Sequence, residues 1–124
     1  MKHSRIRDLI PIASKSFFRR ASRATALLGV LAFWAGMLMA ARRFPSKYDW
    51  RYMPVSNLVT PDHNPGGCLW ASTGIVLCSL CGLCWAALLA RRRNHEGAGE
   101  RPGGIRALWF GNICMMAAAV LPKW

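Results

Sequence analysis

Acidic residues are scarce in this chain of 124 residues: five Asp and Glu stand against 17 Lys and Arg, and the formal net charge is +12. That shortage, together with a hydrophobic content of 53%, is unusual for a soluble domain of this size. The three apolar runs of the chain contain no Asp, Glu or Lys, and Arg106 stands only at the edge of the third. Because ion and proton pathways place ionisable residues well inside the membrane, this pattern argues against a transport subunit.

Cysteine is present but poorly arranged for a disulfide framework. The five cysteines are an odd number, and only Cys68 stands at a water-accessible edge of an apolar run. The spacing Cys78-x-x-Cys81-x-x-Cys84 matches part of an iron–sulfur motif, but the fourth Cys and the Pro of that motif are missing. With no His or acid among them, these cysteines also lack the ligands of a zinc site, so we predict helix packing, no metal and no cofactor.

The longest uncharged run is Leu69 to Ala90, and as a helix it would measure about 33 Å, enough to cross the hydrocarbon of a bilayer. A first run of about 27 Å precedes it, and a shorter third run follows, in which Arg106 would have to snorkel to the interface. The sequence therefore predicts an all-α integral membrane protein with three transmembrane helices at about residues 24–41, 69–90 and 105–121, and with a long loop over 42–68.

Residues 1–23 form a basic segment with seven Lys and Arg against the single acid Asp8. Apolar residues are interleaved with the charges, so this segment is either a short amphipathic helix in the membrane interface, broken near Pro11, or a solvated basic tail. We place a domain boundary at its end and predict a transmembrane helical domain over 24–124. No recognised nucleic-acid motif accompanies the basic residues, so we expect the anionic headgroups of the lipid bilayer, and no nucleic acid, as their partner.

The distribution of Lys and Arg predicts a topology. The amino-terminal segment has seven and the stretch from Arg91 to Arg106 has five, while the first loop has four and the carboxyl end has one. The positive-inside rule then places the amino terminus and the second loop in the cytoplasm and the loop 42–68 outside. Three basic residues directly follow the second helix and would reach the cytoplasmic headgroups: Arg91, Arg92 and Arg93.

Small residues recur every four positions along the second run, and similar series occur in the other two. Hydrophobicity gives little drive for association in lipid, so small residues that let two backbones approach are a main device of helix packing. We expect them to form the seams of one bundle, with Asn112 making an interhelical hydrogen bond. The predicted packing positions are Ala32, Gly36, Ala40, Gly74, Cys78, Gly82, Ala86, Gly111 and Asn112.

In the first loop, three aromatic residues alternate with two charged ones between Tyr48 and Tyr52. Such alternation is typical of a short strand or of an aromatic girdle at the membrane interface. On an extended segment, Asp49 and Arg51 would point to the same side and pair with each other or with a headgroup. We therefore predict headgroup or partner contacts at Asp49, Trp50 and Arg51.

The same loop contains the candidate catalytic residues Ser56, Asp62 and His63. His63 could act as a general base with Asp62, or could activate Ser56 as a nucleophile. The alternative is turn chemistry, in which Asp62 and Asn64 make Asx turns before Pro and Gly and Ser56 caps a backbone group.

A resemblance rests on the motifs of this loop. A membrane helix, then Pro54-Val55-Ser56-Asn57-Leu58, Asn64-Pro65-Gly66 and a Gly-bearing second helix resemble the opening of the DRAM and FRAG families and of related uncharacterised bacterial multi-pass proteins. Those families have more helices than the three predicted here. The resemblance therefore implies half of a bundle, completed by a second copy, another subunit or further sequence.

Taken together, these features favour a small interaction or scaffold subunit of the membrane. It would form a homo-oligomer or bind a membrane subunit partner through its helix seams and its outward aromatic loop. Two alternatives remain open: a membrane-embedded lipid-acting hydrolase using His63 with Asp62 or Ser56, and a transport subunit.

Overall fold

The computed structural model describes residues 4–96 and 103–121. Within these residues the fold is all-helical and has no strand, which confirms the all-α part of the predicted class. Three helices contain segments long and apolar enough to span a membrane: Arg19–Arg42, Cys68–Arg92 and Gly103–Val120. The helices are α1 (Ser4–Arg42), α2 (Ser56–Val59), α3 (Cys68–Glu96) and α4 (Gly103–Val120).

The helix α1 begins well before the predicted first membrane helix. Its 39 residues run without interruption through Pro11, so the expected break at this proline is wrong. A proline withholds one N–H donor, and the remaining i to i−4 bonds of a long helix continue on both sides of it. The helix stops at Arg42 because Pro45 follows closely. A proline disfavours helical backbone at the residue that precedes it.

The helix α3 begins at Cys68, directly after Gly67, whose backbone oxygen accepts hydrogen bonds from the first turn of the helix. The backbone oxygen of Gly67 accepts hydrogen bonds from Trp70 at 3.0 Å and Ala71 at 3.3 Å. At the other end, α3 continues past the apolar run to Glu96, because arginine is a good helix former and the Arg triplet extends the helix without a break.

The helix α3 is central, and α1 and α4 both pack against it. Ser22 meets Trp85 near one end and Gly36 meets Gly74 near the other, so α1 and α3 are antiparallel. Asn112 of α4 lies against Gly82 of α3, and α4 has no buried residue. We call the end that holds residues 43–67 the loop end, and the end where α3 reaches Arg92 the basic end.

The buried core lies at the loop end, where α2 and its neighbours pack between the ends of α1 and α3. The segment 43–67 is thus a packed structure and contributes half of the core side chains. The core residues are Met37, Ala40, Tyr48, Leu58, Val59 and Ala71.

Candidate functional site

The chain around Trp50 forms a turn. The backbone oxygen of Asp49 accepts hydrogen bonds from the N–H groups of Tyr52 at 3.3 Å and Met53 at 2.9 Å, and its Oδ1 accepts the N–H of Arg51 at 2.9 Å. These bonds curl the backbone, so the predicted strand is wrong, and so is the extended arrangement of Asp49 and Arg51. Asp favours such local side-chain-to-backbone bonds, and here they override the alternating pattern.

Aromatic rings do gather at the loop end. Tyr48 stands edge-on to Trp50 with centroids 4.8 Å apart, and Trp50 lies 6.5 Å from Trp34 of α1. The Arg43 guanidinium lies 5.2 Å from the ring centroid of Trp70. The three tryptophans remain 41–52% exposed, and rings with an apolar body and a polar N–H favour the membrane–water boundary. The girdle between Tyr48 and Tyr52 stays a prediction.

Tyr48 is the inner member of this cluster, with only 7% of its surface exposed. Its hydroxyl donates a hydrogen bond to the backbone oxygen of Met53 at 3.0 Å. Burial disfavours the charged phenolate and raises the pKa of Tyr48 above its ordinary value. The hydroxyl thus closes the turn that carries Trp50.

Asn64 fastens the loop to α1. Its Nδ2 donates hydrogen bonds to the backbone oxygens of Ala40 at 3.0 Å and Leu58 at 3.2 Å, and the side chain is fully buried. A Cβ at Gly67 would contact the Asn64 amide and lie 2.6 Å from the Ala40 oxygen. The predicted Asx turn assigned Asn64 a local role, whereas its amide joins residues 24 positions apart.

The candidate catalytic residues are not assembled into a site. Ser56, Asp62 and His63 are all exposed, and no hydrogen bond joins any two of them in the described part of the chain. The N-cap residue of α2 is Val55, without a side-chain cap, so the capping role expected for Ser56 is wrong too. The backbone oxygen of Ser56 accepts the Thr60 hydroxyl at 2.8 Å, which closes the helical turn.

Among the described residues, no three His, Cys, Asp or Glu side chains are grouped closely enough to hold a metal ion. Cys78 and Cys81 are half-buried beside Gly29 of α1, where a Cβ would lie 3.1 Å from the Cys81 Cβ. Cys84 is exposed. Cys68, expected at a water-accessible edge, is buried because α3 starts within the packed loop end.

The tightest helix crossing lies between two of the predicted packing glycines, Gly36 and Gly74. A Cβ on Gly74 would lie 2.9 Å from both the Gly36 Cα and the Ala32 oxygen. Along the same α3 series, Gly82 faces α4 instead. Eight residues turn a helix by about 80°, since each advances it by roughly 100°, so one series of small residues serves two neighbours. Ala40 and Ala86 are fully buried.

Gly111 does not belong to a seam, and its predicted packing role is wrong. It is exposed, and a Cβ there would meet nothing within 4 Å. Its neighbour Asn112 occupies the side of α4 that faces Gly82, and one residue further round the helix Gly111 points elsewhere. The Asn112 Nδ2 donates to the Leu108 oxygen of its own helix at 2.8 Å, in place of the interhelical bond that we predicted.

Two open grooves in the described part of the chain flank α4. The first, which we call the α1–α4 cleft, has a volume of about 210 Å³ and is lined by residues of α1, α2, α3 and α4: Phe33, Met37, Val55, Ser56, Val59, Ile75, Met115, Ala118 and Ala119. The second, about 440 Å³, lies between α3 and the end of α4, and no α1 residue lines it. Both grooves open at the loop end, and none of their described lining residues is charged.

The predicted headgroup contacts at the end of α3 lie at the basic end. Arg91 and Arg92 are exposed, whereas the Arg93 side chain lies outside the described part of the structure. Asp49, Trp50 and Arg51 are exposed at the loop end. The two predicted contact groups therefore lie at opposite ends of the helices.

No protein-family model, curated protein or solved structure matches this chain. The resemblance to the DRAM and FRAG families therefore stays a prediction.

Proposed function

We propose that this chain is an interaction subunit of the membrane, and that its α1–α4 cleft receives an apolar helix from a second copy of the chain. The observation that carries the proposal is the incomplete packing of α4, which lies mainly on α3 and has no buried residue. A helix with one covered face leaves the rest of its surface to lipid or to another protein.

The lining of the cleft suits a helix. Its lining includes Ile75 of α3, Val55 and Val59 of the loop end, and the small residues Ala118 and Ala119 of α4. Small side chains allow a neighbouring backbone to come close, and close packing is what favours helix association in lipid. The described lining residues are apolar apart from Ser56, so a membrane helix could enter without leaving any charge of these residues unpaired in a buried place.

Charge supports an orientation in which the basic end faces the cytoplasm. The described basic side chains near that end are Arg19, Arg20, Arg23, Arg91, Arg92 and Arg106. The loop end has fewer basic residues, and the acids Asp49 and Asp62 accompany them. The positive-inside rule therefore favours an external loop end, where Asp49, Trp50 and Arg51 would form a recognition surface.

Native mass spectrometry of the chain in a mild detergent tests this function. We expect a dimer or larger homo-oligomer, lost in Ala118→Trp because the indole fills the cleft. Ala35→Trp is the matched control, since Ala35 is an exposed alanine of α1 that lines neither groove around α4. A wild-type monomer, or equal loss of the oligomer in both variants, would contradict the proposal.

A further inference from the structure

A cavity of about 230 Å³ lies between α1 and α3 at the basic end. A neighbouring cavity of about 220 Å³ shares Arg19 and Arg23 with it and adds Ser16 and Arg20. None of the described lining residues of either cavity is acidic, and those of the first are Arg19, Ser22, Arg23, Leu88, Leu89 and Arg92.

The charges of this cavity converge from two helices. Arg19 and Arg23 are four residues apart, so they lie on the same side of α1, and Arg92 approaches from α3. Like charges at this spacing repel each other, and an anion held between them would remove that repulsion. The guanidinium group is planar and donates parallel hydrogen bonds that match the oxygens of a phosphate.

Ser22 adds a fixed polar group to the cavity wall. Its Oγ accepts a hydrogen bond of 2.7 Å from Nε1 of Trp85. An indole nitrogen only donates, so Ser22 is the acceptor in this bond, and Trp85 does not use its hydroxyl proton. The bond also joins α1 to α3 at a residue that stands between Arg19 and Arg23 in the sequence, which holds the two walls of the cavity in place.

The depth of the cavity matches that of lipid headgroups. Residues 24–41 of α1 and 69–90 of α3 carry no charge. Arg23 directly precedes the first run and Arg92 stands two residues after the second, so the cavity lies where the apolar parts of both helices end. Basic side chains at that level meet the phosphates of the bilayer surface. Leu88 and Leu89 supply an apolar wall, which suits the glycerol and the first acyl carbons of a lipid better than a soluble phosphate.

We propose that this cavity binds the phosphate group of an anionic phospholipid. Arg19 and Arg23 hold the phosphate oxygens, the Ser22 hydroxyl donates a further hydrogen bond, and Leu88 and Leu89 contact the lipid body. The site lies at the opposite end of the helices from the α1–α4 cleft, so it does not depend on the proposed function.

The test is retention of phosphatidylglycerol by the full chain in mild detergent, measured by native mass spectrometry across a lipid titration. Phosphatidylcholine serves as the zwitterionic reference. We expect Arg19→Gln/Arg23→Gln to weaken phosphatidylglycerol binding about thirtyfold, given the usual contribution of two basic residues near a lipid surface. The control is Arg42→Gln/Lys47→Gln, which removes the same charge at the loop end and should leave binding unchanged.

Circular dichroism establishes that each variant is helical. If the arginine variant does not fold, Leu89→Glu tests the same site, because it places a carboxylate among the arginines and should abolish retention of the lipid. Equal losses in the arginine variant and its loop-end control would overturn the proposal, since binding would then follow overall charge. Binding of inorganic phosphate as tight as that of phosphatidylglycerol in the same titration would also overturn the proposal, because it would assign the site to a soluble anion.

Discussion

Gly36 and Gly74 bring the backbones of α1 and α3 into contact: a Cβ built on Gly36 would lie 2.7 Å from the Cα of Gly74 and 2.6 Å from the backbone oxygen of Trp70. Both of these atoms belong to backbone, so neither can rotate away from an added methyl group. Any larger side chain at either position must push the two helices apart.

We therefore expect Gly36→Ala to destabilise the fold by about 1–3 kcal/mol, the usual cost of overpacking a close contact. Thermal unfolding in detergent, followed by circular dichroism, measures the effect. Gly111→Ala is the control, because that position has open space and alanine favours a helix more than glycine does. Equal losses of stability in the two variants would argue against the crossing.

Asn64→Ala should lower the free energy of unfolding by about 1–3 kcal/mol, because it removes two buried hydrogen bonds and takes the amide donor from the Leu58 oxygen, while the Ala40 oxygen keeps the N–H of Arg43. The loop end should also become more sensitive to protease, since Asn64 joins the loop to Ala40. Asn57→Ala provides the comparison, as the described structure gives the Asn57 side chain no hydrogen bond. Similar unfolding of Asn64→Ala and Asn57→Ala would refute this role.

Tyr48 should make stability depend on alkaline pH. Because burial raises its pKa in the folded state, the unfolded chain loses this proton first as the pH passes its ordinary pKa of 10.0. The stabilising contribution is thus complete below that pH and is lost as the pH rises through the higher pKa of the folded state. Denaturant unfolding across this range should show a shallower fall for Tyr48→Phe than for the wild type, and parallel curves would contradict the assignment.

His63→Ala should leave the oligomer and its thermal stability unchanged, because His63 is exposed and forms no hydrogen bond with Ser56 or Asp62 in the described structure. The measurement is native mass spectrometry beside Ala118→Trp, which is expected to dissociate the oligomer. The hydrolase alternative predicts instead that His63→Ala assembles normally and loses turnover of a lipid ester. Detection of such turnover in the wild type would favour the enzyme.

The three apolar helices were predictable because each rests on a long uncharged run, and length and hydropathy are local properties. The residues at which these helices end were less predictable. The second helix was expected to finish at Ala90, but α3 continues to Glu96, since solvated arginines extend a helix as well as apolar residues do. The short helix α2 has no periodic signal in its four residues.

The candidate site was harder to predict because its key contacts are long-range. Gly36 and Gly74 were identified by spacing, but the same spacing also selected Gly111, which faces open space. Spacing defines a face of one helix and does not say which neighbour covers it. Asn64 was assigned to a turn, because nothing near it in the sequence indicates that its amide reaches Ala40.

At one end Asn64, in the loop just before α3, bonds to Ala40 of α1, and at the other end Trp85 of α3 bonds to Ser22 of α1, with the glycine crossing between them. None of these contacts involves α4. The chain is synthesised from its amino terminus, so every residue that joins α1 to α3 is present before α4 has been made. The helical hairpin can therefore be complete in the bilayer when the last helix arrives, and α4 then docks on a surface that already exists.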